Sequence, residues 1–468
     1  MILRRGVFTV LIQLIQVVSL SGITILVTRV TGAHGRGVYA LVSLVAILAS
    51  MVASLGVSWA SIYFIGRRAF PLDSVVSTLL TTCAITAVAS MSIVGAAYIA
   101  LRASYFHEVA ADQAILMVIL TGVLQVASAT AWIVLGMNRP LHYAGLSALQ
   151  VVTAFFLQAA LALAGRLTAS SALVALLAGA VVAASLGLAV IHRETPLRMG
   201  VDVKLLRTFF NFGVRGYAAD LMMLASSRLG SLVVNGIRGV ASLGYYSVAT
   251  AIAETLTYGA YGLALVMFPH VSSLERPEAN RIAPVVCRNV VFMTLVAVVA
   301  VFAAARELLL VVFGPAMLPA VEPLWLLLPG VVALSAIRII SSYLNGIGKP
   351  IYVTYIAGGS LVLSVALNLL LIPPYGISGA AIATTIVYLA GSLAALLIFR
   401  VESGAGLLET LVVRPDDFAR YRRLVGSGAG WLRRARSSPS AESGSVSAAT
   451  SPGERGREAP PSTDAGRS

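Results

Sequence analysis

The sequence predicts an all-α polytopic membrane protein, with about 12 transmembrane helices in two parallel six-helix lobes around a central cavity. Three observations predict this fold. The chain is 58% hydrophobic and only 11% charged, long apolar segments recur through its first 400 residues, and two motifs occur twice at nearly the same separation. Soluble globular proteins carry about 25% charged residues, so the composition excludes that class.

The apolar segments are long enough to serve as transmembrane helices. A helix needs roughly 20 apolar residues to cross a hydrocarbon core about 30 Å thick. Residues 306–320 are too few to span, and Gly314, Pro315 and Pro319 predict an extended or re-entrant linker at the surface there. The predicted spans are 7–28, 38–64, 74–101, 113–135, 141–164, 169–191, 209–234, 240–268, 284–305, 321–345, 351–373 and 377–399.

Two repeated motifs divide these spans into two sets of six. Residues 32–39, with glycines at the first and sixth positions, return 207 positions later as residues 239–246. Residues 136–141, Gly-Met-Asn-Arg-Pro-Leu, return 210 positions later as Gly-Ile-Gly-Lys-Pro-Ile at 346–351. A shared offset indicates an internal repeat, and an even number of spans in each repeat makes the two lobes parallel. We interpret both motifs as tight turns without a role in substrate binding.

The repeat and the change of composition beyond residue 400 define the predicted domains. From about Ser437 the chain is rich in Ser, Gly, Ala, Pro and Arg, which predicts disorder because little apolar surface is available to bury. Residues 414–436 mix apolar side chains with seven arginines, and either an interfacial helix or a solvated flank explains them. The predicted domains are an N-terminal six-helix lobe (1–192), a cytoplasmic connector (193–208), a C-terminal six-helix lobe (209–400) and a basic, mostly disordered cytoplasmic tail (401–468).

The distribution of basic residues predicts the orientation. With the N-terminus inside, twelve Arg or Lys residues flank the cytoplasmic ends of the spans and six flank the outer ends, which the positive-inside rule favours. Both termini are therefore expected in the cytoplasm, in the inner or plasma membrane of a bacterium. The net charge of +14 suits this topology and anionic lipids, and no nucleic acid partner is expected.

Ionisable side chains inside the predicted spans are the candidate site residues. No catalytic or metal-binding motif is present, so neither an enzyme, a cofactor nor a metal is expected. An ionised group near the bilayer centre costs roughly 2.5–3.5 kcal/mol on the insertion scale, so such groups usually have a function. The candidates for a substrate-binding cavity are Arg215, Asp220 and Arg228 in span 7, Glu254 in span 8 and Arg338 in span 10.

Two interpretations of these charges remain open. In one they form interhelical ion pairs, such as Asp220 with Arg228 or Glu254 with Arg215. In the other they line a hydrated, net positive cavity that accepts an anionic head group. The spans of the first lobe have no charged residue in their middle and carry glutamines instead. We expect these glutamines to form hydrogen bonds with neighbouring helices.

Several stretches resemble a known family. Residues 345–350 (Asn-Gly-Ile-Gly-Lys-Pro) and 367–386, which include Ile-Pro-Pro-Tyr-Gly-Ile-Ser-Gly-Ala-Ala, resemble the C-terminal half of polysaccharide-biosynthesis flippases. Residues 243–249, leading to Glu254, and Phe268-Pro269 resemble the same family. So does Arg36-Gly-Val-Tyr-Ala. Over about residues 1–400 the chain is therefore similar to the oligosaccharide (O-antigen-like) flippases of the multidrug/oligosaccharidyl-lipid/polysaccharide exporter superfamily.

This resemblance implies a function and its partners. The family's fold is two six-helix lobes that alternate access to a central cavity, and its substrate is a polyprenyl-pyrophosphate-linked oligosaccharide, moved from the inner to the outer leaflet as in lipopolysaccharide transport. Implied partners are that lipid-linked glycan, membrane lipids, and glycan polymerase or glycosyltransferase proteins. A multidrug or other small-molecule exporter of the same fold and a scaffold subunit of a glycan-synthesis complex are the alternatives.

The chain also departs from the family pattern. Many relatives have an acidic residue two places after the basic residue of span 7 that corresponds to Arg228. This chain has Gly230 at that place. Asp220, on roughly the same helix face, is the candidate substitute. The chain further lacks the two extra spans that are usual in peptidoglycan-precursor flippases.

Overall fold

The structure is a computed structural model that describes residues 2–415 and 417, apart from 55, 57–59, 68–69, 197 and 199. The side chains of residues 2–10, 211–212 and 214–216 lie outside this description. So do the tail from Ser437 and nearly all of the 414–436 segment, and the predictions made for them remain predictions.

All regular elements in the described residues are helical. The long apolar segments form ten long helices, joined or followed by the short helical segments Ser61–Ile65, Leu309–Phe313, Pro315–Ala320 and Leu407–Leu411. The ten are α1 (Ile2–Ala53), α2 (Leu72–Leu101), α3 (Ala111–Gly136), α4 (Pro140–Leu163), α5 (Ala169–His192), α6 (Val203–Thr255), α7 (Tyr258–Ser272), α8 (Arg276–Leu308), α9 (Val321–Gly346) and α10 (Pro350–Ser403).

Three of these helices are each two helices joined at a glycine. At 1.5 Å per residue, the 54 residues of α10 would measure about 80 Å, more than twice the thickness of a hydrocarbon core. Gly32 in α1, Gly239 in α6 and Gly376 in α10 have φ of 68°, 81° and 59°, which glycine adopts at no steric cost. We call the arms before and after each glycine α1a and α1b, α6a and α6b, and α10a and α10b.

The number of crossings agrees with the predicted fold. Eight helices in the described residues are long and apolar enough to cross a membrane, and α6 with α7, bent by 46° at their junction, makes a ninth. Three of these nine contain a kink glycine and each supplies two crossings, which gives twelve. The predicted all-α polytopic fold is confirmed.

Successive crossings are joined at alternate ends of the bundle. The kinks at Gly32, Gly239 and Gly376 share one end, the kink end, with the 102–110 loop and the 309–320 segment. The connections at 137–139, 193–202, 273–275 and 347–349 lie at the opposite end, the turn end.

The two lobes meet at the kink end through a reciprocal pair of backbone contacts. A Cβ built on Gly37 would lie 1.9 Å from the Val240 carbonyl oxygen, and one built on Gly244 would lie 1.9 Å from that of Ala33. Gly244 and Val240 are the repeat equivalents of Gly37 and Ala33 at the offset of 207. Reciprocal contacts of this kind are the mark of a two-fold relation, here between the first turns of α1b and α6b.

The second repeated motif forms equivalent turns in both lobes. Asn138 and Gly348, 210 positions apart, have φ of 60° and 78°, and a proline follows in the first turn of α4 and of α10. The basic residue of each turn binds a carboxylate near the end of its own lobe: Arg139 pairs with Glu194, and Lys349 Nζ lies 2.6 Å from Glu402 Oε1. These contacts give the motif a structural role.

One local expectation is wrong, and two predicted spans are interrupted. Residues 306–320 are helical apart from Gly314 and carry Leu309, Phe313 and Met317 into the main hydrophobic core, because the apolar spacing overrides the prolines. The second predicted span (38–64) is interrupted, since α1 ends at Ala53 before helix resumes near Ser61. The eighth span (240–268) bends between α6b and α7.

Candidate functional site

Two cavities contain four of the five candidate residues. The kink-end cavity, of about 570 Å³, lies between α1a, α1b, α6a and α6b and is lined by Arg36, Arg228 and Glu254. The turn-end cavity, of about 1490 Å³, is lined by α6, α7, α9 and α10 and contains Asp220 and Arg338. Arg228 and Glu254 thus lie in one cavity and Asp220 and Arg338 in the other, one cavity toward each end of the bundle.

Arg228 and Glu254 form a bidentate ion pair. The two guanidinium nitrogens donate to the two carboxylate oxygens at 2.7 and 3.1 Å, the fork geometry in which arginine binds a carboxylate most strongly. Their side chains are 33% and 37% exposed, at the wall of the kink-end cavity. This pair differs from the pairs expected from the sequence. Arg228 on α6a and Glu254 on α6b lie on either side of the Gly239 kink, so the fold back at the kink brings the two side chains to the same level along the bundle.

Asp220 and Arg215 lie nearer the turn end of α6a. Asp220 is exposed at the wall of the turn-end cavity. The backbone of Arg215 belongs to α6, but its side chain lies outside the described residues, so its predicted role stays a prediction.

Arg338 projects into the turn-end cavity from α9. Its guanidinium carbon lies 5.2 Å from the centre of the Tyr261 ring, within the range of a cation–π contact. Its Nε is buried and has no hydrogen-bond acceptor among the described residues. No carboxylate in the described part of the chain lies within 4 Å of its guanidinium. Arg338 is therefore a cation without an acidic partner there.

Sequence reasoning missed Arg36 by assigning it to an outer loop. The structure starts α1b directly after Gly32, so Arg36 lies on a helix and only 8% of it is exposed. Its Nε donates to Ser247 Oγ of the opposite lobe at 3.1 Å, and its guanidinium carbon lies 5.6 Å from the centre of the Tyr39 ring. The available signal was Gly32 itself: a single positive-φ glycine suffices for the kink, and the residues after it are then helical.

Two glutamines of the first lobe bond neighbouring helices, as predicted. Gln125 donates to the Ala53 carbonyl oxygen at 3.3 Å and to Thr86 Oγ1 at 2.6 Å. Gln158 donates to the Ala172 carbonyl oxygen at 3.0 Å.

The 102–110 loop of the first lobe fastens the kink end to α6. The Val240 N–H donates to Glu108 Oε1 at 3.0 Å, so this carboxylate caps the first turn of α6b from the other lobe. Tyr105 donates to the Leu232 carbonyl oxygen at 2.9 Å. Burial raises the pKa of Tyr105 to about 12, so it remains a neutral donor at physiological pH. These contacts join the 102–110 loop of the first lobe to both arms of α6.

A family model described as "Polysaccharide biosynthesis protein" matches residues 26–322, more than half of the chain. The chain belongs to this family. The matched range includes residues 36–40, 243–249 and 268–269, from which the resemblance was read, and it confirms that resemblance. One curated relative, the uncharacterized membrane protein MJ1068 of Methanocaldococcus jannaschii, is 28% identical over 193 residues, which are 40% of this chain and 38% of that protein. The matched part therefore spans less than half of the relative's length.

Solved structures of similar fold are membrane transport proteins. The lipid II flippase MurJ in an inward closed conformation has a TM-score of 0.70 at 14% identity, covering 84% of this chain and 87% of that one. An inward-facing multidrug resistance MATE family transporter of the MOP superfamily has a TM-score of 0.65 at 14% identity, covering 85% and 98%. A MOP superfamily transporter from Pyrococcus furiosus has a TM-score of 0.57 at 17% identity, covering 86% and 95%. At these identities the likeness establishes the fold alone: this is a multi-pass membrane protein with the helical architecture that these structures share.

Proposed function

We propose that this protein translocates a polyprenyl-pyrophosphate-linked oligosaccharide or polysaccharide precursor across the plasma membrane by alternating access, with no catalytic step. The observation that carries the proposal is Arg338, a cation without an acidic partner among the described residues, in a cavity of about 1490 Å³. A diphosphate cannot enter the hydrocarbon core without screening of its charge, and a guanidinium fork screens phosphate oxygens well.

The surroundings of Arg338 favour an anionic ligand. Tyr261 holds the guanidinium through its ring face and supplies no negative charge. The buried Nε has no acceptor, and leaving such a donor unpaired costs about 1–3 kcal/mol. A phosphate oxygen would satisfy it, whereas a cationic drug would add repulsion.

The size of the turn-end cavity also favours a large substrate. Pockets for drug-sized ligands have volumes of about 300–1,000 Å³, and this cavity has about 1490 Å³. Several sugar rings need that larger volume, so we rank the glycan flippase above a multidrug exporter of the same fold.

In the proposed orientation the turn end and both termini face the cytoplasm. Basic residues then concentrate on the inner face, as the positive-inside rule requires. Glycosyltransferases complete the substrate in the cytoplasmic leaflet, and it enters the turn-end cavity from there. A glycan polymerase uses it on the opposite side of the membrane. Membrane lipids are further proposed partners, and we expect no nucleic acid partner. The basic residues of the turn end include Arg67, Arg139, Arg193, Arg198, Lys204, Arg207, Arg276, Arg281 and Lys349.

A flipping assay tests the proposal. The purified protein is placed in liposomes that contain a fluorescent polyprenyl-pyrophosphate oligosaccharide, and quenching from outside measures transfer between leaflets. We expect Arg338→Gln to lower the rate at least tenfold and Arg338→Lys to retain part of it, since lysine keeps the charge without the fork. Arg166→Gln is the matched control, because Arg166 is an exposed loop arginine that lines neither cavity.

The alternatives give other outcomes. Drug hypersensitivity without a glycan defect in a deletion strain would favour the exporter. A glycan defect in that strain, with no flipping by the purified protein, would favour a scaffold subunit.

A further inference from the structure

The charges of the kink-end cavity do not cancel. Its lining includes Arg36, Arg228 and Glu254. Arg228 and Glu254 neutralise each other through two hydrogen bonds. The remaining positive charge of the lining therefore belongs to Arg36.

Arg36 has only neutral neighbours. Its Nε donates to Ser247 Oγ, and the face of Tyr39 lies beside its guanidinium. Within the described residues no carboxylate lies within 4 Å of it and no acceptor binds its two terminal nitrogens. A guanidinium that is 8% exposed thus has most of its donor capacity unused, at the wall of a cavity.

Ser247 fixes the direction of this guanidinium. Its hydroxyl donates to the Gly244 carbonyl oxygen at 2.9 Å, which leaves its lone pairs to accept from Arg36 Nε. Gly244 is also the residue that packs on the Ala33 backbone of the opposite lobe. Arg36 is therefore oriented by the lobe interface itself, and its orientation depends on the kink end being closed.

A structural role alone does not account for a charge here. A hydrogen bond to the Ser247 hydroxyl needs only a neutral donor, whereas burying a cation in apolar surroundings costs free energy. An anion that enters the cavity offsets this cost and satisfies the free nitrogens.

We propose that Arg36, and not the neutralised Arg228, binds the anionic group of the substrate in the kink-end cavity, and that this group is the pyrophosphate of a polyprenyl carrier. This assignment rests on the proposed function. It gives the substrate one cationic site toward each end of the bundle, Arg338 at the turn end and Arg36 at the kink end, with the neutral Arg228–Glu254 pair at the wall between the lobes. The anion then moves from one arginine to the other as access alternates.

A binding measurement on the full-length protein tests the assignment. The protein is placed in nanodiscs of zwitterionic lipid, and the affinity for farnesyl pyrophosphate is measured by calorimetry. We expect Arg36→Gln to weaken binding at least tenfold, the loss typical of charged hydrogen bonds, and Arg36→Lys to weaken it less. Arg166→Gln, the same charge change at the kink end, should leave the affinity unchanged.

Further measurements separate a role of Arg36 in binding from a structural role, and they identify the source of the anion. Ser247→Ala removes the neutral hydrogen bond but keeps the charge, so we expect at most a threefold loss of affinity. Thermal unfolding of each variant reports its fold, and Arg36→Lys still tests the charge if Arg36→Gln does not fold. Displacement of the probe by inorganic pyrophosphate supports recognition of the diphosphate itself.

Three results would overturn the assignment. If Arg36→Gln binds like the wild type while Arg338→Gln or Arg228→Gln does not, Arg36 is not the ligand but the proposed function stands. If phosphatidylglycerol in the nanodisc abolishes probe binding, the site belongs to lipid head groups. If the wild type binds farnesol as well as farnesyl pyrophosphate, the proposed function fails together with this assignment.

Discussion

Arg36, Arg228 and Arg338 are three arginines inside the helical bundle with three different electrostatic environments. Arg228 shares two hydrogen bonds with Glu254. Arg338 lies against the ring of Tyr261, and Arg36 donates to the hydroxyl of Ser247. Because only Arg228 has an acidic partner among the described residues, substitutions at the three positions should have different effects.

The Arg228–Glu254 pair predicts a rescue by double substitution. Arg228→Gln or Glu254→Gln alone leaves one charge unpaired in apolar surroundings, and we expect a loss of about 1–3 kcal/mol in stability. Arg228→Gln/Glu254→Gln should recover most of it, because two neutral amides can still bond each other. Thermal unfolding of the three variants in detergent measures the effect. A double variant that unfolds at the temperature of the less stable single variant would show that the pair is not what stabilises this site.

At the scale of elements, the first turns of α1b and α6b join the lobes. Gly32 and Gly239 turn the chain, and in each case the glycine five residues later lets the backbone of one lobe touch that of the other. Contacts between backbones leave no flexible side chain to absorb an added atom, so this joint is sensitive to a single methyl group.

We therefore expect Gly37→Ala and Gly244→Ala each to separate the lobes at the kink end. A Cβ at either position would lie 1.9 Å from a carbonyl oxygen, and overpacking of this kind costs roughly 1–3 kcal/mol. Spin labels on the 102–110 and 309–320 segments should report a longer interlobe distance. Gly145→Ala is the control, because a Cβ there has nothing within 4 Å and alanine favours a helix. Unchanged distances in both kink-end variants would contradict the reciprocal packing.

The cap on α6b predicts a local loss of protection. Glu108→Gln weakens the acceptor of the Val240 amide and removes the charge that favours the helix N-terminus. We expect faster hydrogen exchange in the first turn of α6b, while the middle of α6a keeps its rate. Asp112→Asn makes the same charge change at an exposed position nearby and serves as the control. Equal exchange in Glu108→Gln and the wild type would show that the loop does not fasten α6b.

On the scale of the whole molecule, the connections between the twelve crossings lie either at the kink end or at the turn end. Basic side chains are more numerous at the turn end than at the kink end, and positive residues remain preferentially on the cytoplasmic side. Charge therefore predicts the proposed orientation, while the pairing of the lobes follows from the repeat.

Cysteine labelling checks this orientation. The two native cysteines, Cys83 and Cys287, are buried and free, so replacing both with alanine gives a background without thiols. In intact cells we expect Ser104→Cys in the kink-end loop to react with an impermeant maleimide. Ser273→Cys at the turn end should react only after the cells are opened, since both positions are exposed in the structure. The reverse pattern would invert the proposed orientation.

The sequence located Arg228 and Glu254 but not the ion pair that joins them, and their role in substrate binding stays a prediction. Span 7 and span 8 identified Arg228 and Glu254 because charges stand out in apolar helices, but the ion pair between them depends on how α6a and α6b lie beside each other. Arg36 escaped detection because it follows a glycine turn, where an arginine usually faces water. Contacts between helices decide which arginine lies beside a carboxylate. A local sequence pattern does not encode those contacts.

By itself the sequence determined the membrane environment, the twelve crossings and the duplicated architecture, because hydropathy, segment length and repeat spacing act along the chain. It determined the turns as well, since Asn138, Gly348 and the prolines after them constrain only their own backbone. Only the tertiary structure decided that α1b and α6b touch through glycine backbones, that Arg228 is neutralised by Glu254, and that Arg36 lines a cavity. These features depend on distances between segments about 200 residues apart, which the packing of the two lobes sets.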